Sequence, residues 1–268
     1  ALHNPHYWEV LEGAEEEITA RGYHLALVVS NLNPDREWQA LRSLFQQRLD
    51  GLILMPTFID MFPQALKTIK ERSIPVVFTH PMEGMDWAFP DVRSGAEQLL
   101  DHLLSLGHRR IGFINGVARP SLGQTRLHVY QEKLAAAGLP QEEDLVRCCG
   151  YLMEDGYQAA RYLLDLPEPP TAIWAINDLL AIGAMRAILE RGRRVPEELA
   201  LAGFDDIALA REVYPPLTTV QMPSKEVGRR AAQFLFTRLG DPNHAPMQEL
   251  LPTCLVIRRS TDPLAKDA

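Results

Sequence analysis

Seven short apolar runs punctuate the chain, at residues 25–30, 51–56, 76–80, 111–116, 145–150, 172–177 and 199–205. Their unbroken apolarity and β-branched content suit strands buried on both faces of a parallel sheet. Helical spacing fills the stretches between them. Tyr7, Leu11, Ala14 and Ile18 share one face, Leu41, Leu44, Phe45 and Leu49 repeat the pattern, and Ile182, Met185 and Leu189 do so later. Gly22, Gly107, Gly138 and Gly192 each close such a stretch and read as helix stops. Strand alternating with helix implies right-handed βαβ units and a doubly wound α/β architecture.

At 268 residues the chain accommodates two lobes at least as readily as one. Its net charge of −8 excludes a polyanion binder acting alone, because counterion release needs clustered basic groups. Cys148, Cys149 and Cys254 leave one thiol over in any pairing, and no CxxC occurs, which fits a reducing, cytoplasmic setting. No apolar run approaches the ~20 residues that span a bilayer. Glu9, Glu12, Glu15, Glu16 and Glu17 argue against a signal peptide. The sequence enters a helix almost at once, so the first strand of the fold is expected to be missing from it.

In open parallel sheets, ligands bind beyond the carboxyl ends of the strands. The residues there are Asn31, Thr57, His80, Tyr151, Asn177, and Asp205 with Asp206. Short hydrogen-bonding side chains with one aromatic suit a small polar ligand. Each also has a plainer reading. Asn177 or Asp178 can cap a helix, Asp205 and Asp206 can be turn residues, and Tyr151 can simply pack. No GxGxxG, GxxxxGK[ST] or GxSxG is present, and no catalytic residue or cofactor is expected. His3 and His6 are not expected to bind metal. His102 and His108 bracket a helix end, and the Cys148–Cys149 pair reads as core. A binding protein therefore outranks an enzyme.

Several segments read together are more specific. LGHRRIGFING at 106–116, the stretch from PTAIWAIND to GFDDIALA at 170–210, PPLTTVQMPSKEVGRRAA at 215–232 and LPTCLVIRRST at 251–261 run in order. With NPHYWEVLEGAEEEITARGYHLAL at the front, the chain resembles the lactose/galactose-repressor (LacI/GalR) family of bacterial transcription regulators. The resemblance implies a periplasmic-binding-protein-like core of two α/β lobes, without the helix-turn-helix headpiece. It places crossovers near 90–92, 218–221 and 251–253. The N-terminal lobe would be 1–91 plus 221–251, the C-terminal lobe 92–220 plus 252–268, and the ligand cleft would lie between them.

The same resemblance implies a set of site residues. Arg126, ahead of Tyr130, stands at the family's effector arginine, Asn177 at a cleft asparagine and Asp205 at the effector aspartate. Tyr151 stands at an aromatic position, and His6 and Tyr7 occupy the family's two aromatic positions, His6 as a departure. His80, Met222 and Arg119 are further lining candidates. An arginine fork, an amide and a carboxylate suit a neutral sugar first and a purine or nucleoside second. The implied mechanism is a ligand-biased change between lobe arrangements in a homodimer, which reaches operator DNA only through the headpiece. The alternative on the same fold is a secreted sugar-binding protein of a transporter.

Overall fold

Two Asn-Pro pairs start the first two helices. Asn4 accepts the His6 N–H at 3.1 Å and Asn33 accepts the Arg36 N–H at 2.9 Å, each followed by a proline whose missing N–H costs nothing there. The computed structural model describes residues 3–31, 33–56, 62–116 and 124–265. In chain order the elements are α1 (Pro5–Thr19), α2 (Pro34–Gln46), β1 (Leu52–Leu54), α3 (Phe62–Arg72), β2 (Val76–Phe78), β3 (Asp86–Pro90), α4 (Val92–Ser105), β4 (Ile111–Asn115) and α5 (Gln124–Ala136). They continue with β5 (Val146–Cys148), α6 (Met153–Leu164), β6 (Ala172–Ala175), α7 (Asp178–Glu190), β7 (Ala200–Ala202), α8 (Leu209–Glu212), β8 (Thr219–Gln221), α9 (Ser224–Gly240), β9 (Gln248–Leu251) and β10 (Cys254–Val256).

The chain divides into two compact units, Ala1–Asp91 with Pro223–Pro252, and Val92–Met222 with Thr253–Ala268. The first unit holds a parallel sheet of order β1-β2-β3-β9. Leu41, Phe45, Leu54, Ile69 and Phe78 fill one side of it. On the other side α1 and α9 touch backbone to backbone. A Cβ on Gly13 would stand 1.9 Å from the Lys225 carbonyl, and one on Gly228 would stand 1.9 Å from that of Val10. At the far end of α9 the Arg238 guanidinium clasps Asp86 with two bonds of 2.8 Å.

The second unit holds a parallel sheet of order β5-β4-β6-β7, with β8 and β10 as a separate antiparallel pair. From β4 the chain steps outward to β5 and then returns past β4 to β6. The strand order therefore reverses between β4 and β6, where a ligand crevice opens in such sheets. Phe113 stacks on Tyr130 and meets Trp174 edge-on beneath it, and Tyr130 donates to the Ile111 carbonyl at 2.7 Å.

Six of the seven apolar runs contain strands, and Gly22, Gly107, Gly138 and Gly192 all stop helices with positive φ. The exception is 25–30, which forms no strand; Leu25, Leu27 and Val28 are exposed. A strand needs a neighbour to complete its ladder, and no described residue pairs with this run. Leu49 lies beyond the end of α2, and Leu189 faces solvent because α7 buries its 180–188 side instead. The cysteine pair is not core. Cys148 ends the edge strand β5 exposed, while Cys149 is half-buried. Burial, with the Asp155 carboxylate nearby, pushes the Cys149 thiol up to about 12.

Candidate functional site

In the second unit the residues after the strands converge. Asn115 ends β4, and its side chain accepts the Gly116 N–H at 2.9 Å. Arg126, in the first turn of α5, is buried, with its guanidinium carbon 4.2 Å from the centre of the Phe204 ring. That stacking holds the planar fork beside the segment that carries Asp205.

Tyr151 follows β5 and lies against Gly116, where a Cβ would stand 2.7 Å from the phenol oxygen. Burial pushes its hydroxyl up to about 12, partly offset by the Arg126 cation. The Tyr151 hydroxyl is buried and has no hydrogen-bond partner among the described residues. A donor kept dry and unsatisfied costs stability unless something else engages it.

Asn177 is the cap of α7, accepting the Leu180 N–H at 2.8 Å, and its amide also donates to the Tyr151 carbonyl at 3.2 Å. The plainer reading of this residue is therefore realised, and the same amide ties β6 to the Tyr151 segment. Asp205 follows β7 with φ at 117°. Its N–H donates to the Val220 carbonyl at 2.9 Å, and its carbonyl accepts the Met222 N–H at 3.3 Å. Met222 is thereby held beside Asp205.

Asp206 is spent internally. Its carboxylate accepts from Arg258 at 2.6 Å, from Arg211 at 3.3 Å and from Gln221 at 3.5 Å. Asp178 is entirely buried; burial first, and the Asp205 carboxylate second, push its acid well above the usual range. Of the two aspartates after β7, only Asp205 keeps its side chain out of the Arg258 pair.

In the first unit, His6 Nδ1 and Ser224 Oγ lie 2.6 Å apart at the starts of α1 and α9. The Tyr7 ring is 5.2 Å from that of His6. His80 Nδ1 is 3.2 Å from the Pro81 carbonyl, its ring is 4.9 Å from Phe89, and burial lowers its pKa. Asn31 is exposed, with φ at 52°. Thr57 and Arg119 lie outside the described residues. Among the described residues no group of three or more His, Cys, Asp or Glu could hold a metal, and no helix is long and apolar enough to cross a membrane.

The residue pattern missed three contributors: Phe204 beneath Arg126, Arg258 on Asp206, and Thr219, whose hydroxyl donates to Asp178 at 2.6 Å. Phe204 was readable as the neighbour of Asp205. The other two come from β8 and the segment after β10, whose proximity no local spacing announces.

The periplasmic binding protein-like domain family matches residues 100–261. The chain is 33% identical to the HTH-type transcriptional regulator DegA of Bacillus subtilis, across 98% of this chain and 79% of that protein. It belongs to the LacI family of transcription regulators. Solved structures agree. A complex of the regulator CelR with cellobiose superimposes with a TM-score of 0.86 at 31% identity, covering 97% of this chain and 80% of that one. A LacI-family regulator from Enterococcus faecium with bound ribose gives 0.84 at 25% identity, covering 99% and 97%. The LacI-family chain is thus a regulator's ligand-sensing domain, not a secreted transport protein.

Proposed function

We propose that this domain binds a small neutral sugar between its two lobes and converts occupancy into a change in DNA binding by the regulator. The observation that carries this reading is the group in the second unit, where Arg126 stacks on Phe204 next to Asp205, with Tyr151 and Asn177 alongside. A guanidinium and a carboxylate together match paired sugar hydroxyls as donor and acceptor, and a flat ring suits the apolar C–H face of a pyranose. Cellobiose and ribose, the ligands in two of the similar solved structures, are of this class.

His6, Tyr7 and His80 complete the site from the N-terminal lobe and Arg119 from the C-terminal lobe, and Met222 lines it as well. The lobes are 1–91 plus 221–251 and 92–220 plus 252–268. The ligand acts by preferring one lobe arrangement, since only differential affinity shifts such an equilibrium. The regulator works in the cytoplasm as a homodimer, and operator DNA is gripped by a headpiece, not by this acidic domain. The domain binds its sugar without turning it over.

A thermal-shift panel of monosaccharides, disaccharides, sugar phosphates, purines and nucleosides tests the reading, repeated with Asp205→Ala. Occupancy at a hundredfold excess over Kd stabilises by about 2.7 kcal/mol. A sugar shift lost in the variant supports the proposal; a shift with a nucleoside alone replaces the sugar with a nucleobase ligand. Sedimentation as a monomer at micromolar concentration would overturn the homodimer.

A further inference from the structure

We propose that Asp178 is a positioning residue for Asp205, holding the turn from Gly203 to Ile207 in the one conformation that presents the Asp205 carboxylate. The inference rests on the ligand-binding role of Asp205 proposed above, and it starts from the backbone. Asp205 and Asp206 are consecutive non-glycine residues with φ at 117° and 58°. Side-chain-bearing residues occupy this region only where their surroundings over-determine it.

One carboxyl group is central to those surroundings. Asp178 Oδ2 accepts the Ile207 N–H at 2.9 Å, after the strained pair. Its Oδ1 accepts the Thr219 hydroxyl at 2.6 Å, and Thr219 Oγ1 in turn accepts the Asp206 N–H at 3.3 Å, within the pair. Before the pair, a Cβ on Gly203 would stand 2.3 Å from Asp178 Oδ1, so only glycine lets the turn begin in contact with that oxygen. The turn is thus wrapped around the Asp178 side chain, which touches it before and after the strained residues and reaches within them through Thr219.

A wholly buried carboxyl is an expensive way to fill space, and an apolar side chain would pack there at less cost. Its justification is the pair of donors it satisfies. Arg258, a buried cation, is committed to Asp206 and to the Leu217 carbonyl at 2.9 Å, so it anchors the same turn through Asp206. The turn thus has two buried supports, the Asp178 carboxyl and the Arg258 guanidinium.

The test compares Asp178→Ala, Thr219→Val and Thr219→Ser with the wild type in two measurements. Hydrogen exchange reads the Asp205, Asp206 and Ile207 amides, and calorimetric titration reads ribose and cellobiose. Thr219→Val is expected to speed exchange at these amides at least tenfold over the rest of the second unit and to weaken sugar binding about tenfold. Thr219→Ser, which keeps the hydroxyl, is expected to restore both. Asp178→Ala is expected to exceed the valine variant in both readings. Should it fail to fold, the Val–Ser pair decides alone.

Exchange at 205–207 unchanged by Thr219→Val, or raised evenly across the whole unit, overturns the proposal. If the wild type binds neither sugar, the sugar reading fails for these two ligands, while the exchange data still decide what Asp178 does.

Discussion

The Arg258 guanidinium and the Asp206 carboxylate meet at 2.6 Å with both side chains no more than 2% exposed. An ion pair sealed this far from water gains little net stability from its attraction, because both charges have lost their hydration. Removing one partner is another matter, since the other is left charged in the dark. Arg258→Met is expected to destabilise the protein by about 3 kcal/mol, read as a lowered midpoint in urea at unchanged slope. A loss under about 1 kcal/mol would show that Arg211 and Gln221 alone satisfy Asp206.

Tyr151→Phe separates binding from stability. Among the described residues the phenol hydroxyl has no hydrogen-bond partner, so removing it breaks no bond described there, and folding stability is expected to stay within about 0.5 kcal/mol of wild type. If the hydroxyl serves a sugar, affinity falls about tenfold at the same time. Chemical denaturation alongside calorimetry gives both numbers from one preparation.

Two glycines of α9 are expected to respond oppositely to alanine. At Gly228 the new methyl would meet the Val10 carbonyl, a backbone atom with nowhere to go. The steric cost outweighs the better helix propensity, for a net loss of about 2 kcal/mol. At Gly240 nothing lies within 4 Å, and alanine is expected to gain about 0.5 kcal/mol. Thermal melts of the two variants check the contrast; similar losses at both positions would refute the α1–α9 contact.

Histidine protonation sets one pH trend. Burial lowers the folded pKa of His80, His102 and His108 below the ordinary 6.5. Above 6.5 both folded and unfolded forms are neutral, and the stability is fully present. As pH falls through 6.5 the unfolded chain takes up protons first, so stability declines until the folded pKa values are passed. Asp178, with its raised acid, contributes the opposite slope, losing stability as pH rises from its unfolded value towards its folded one. The histidine share is isolated by His102→Gln, whose amide can still reach Thr261 across the 2.9 Å contact. Denaturation midpoints between pH 5 and 7 are expected to fall less steeply in the variant; identical slopes would remove His102 from the account.

Runs such as 111–116 and 172–177 were legible as strands because both faces of β4 and β6 are covered. The run at 25–30 carries the same signal and still forms no strand, because apolarity says nothing about whether a neighbour exists to hydrogen-bond with. Strands of three residues such as β8 and β10 have too few positions for any period to show. Asp205 and Arg126 stood out through a family resemblance and meet at Phe204, which precedes Asp205 and packs under Arg126. What stayed hidden was the support behind them. Asp178 read locally as a cap candidate, and its partners Thr219 and Ile207 lie 41 and 29 residues away in sequence.

The glycine contacts between α1 and α9 have a mechanical consequence. With backbone set against backbone at Gly13 and at Gly228, neither helix can slide along the other without first being lifted off it. The two therefore travel as a single rod, braced by Lys225 on Glu16. A pull on His6 at the tip of one is felt by Ser224 at the tip of the other. Whatever grips either tip steers both, and the lever it moves is seventeen residues long.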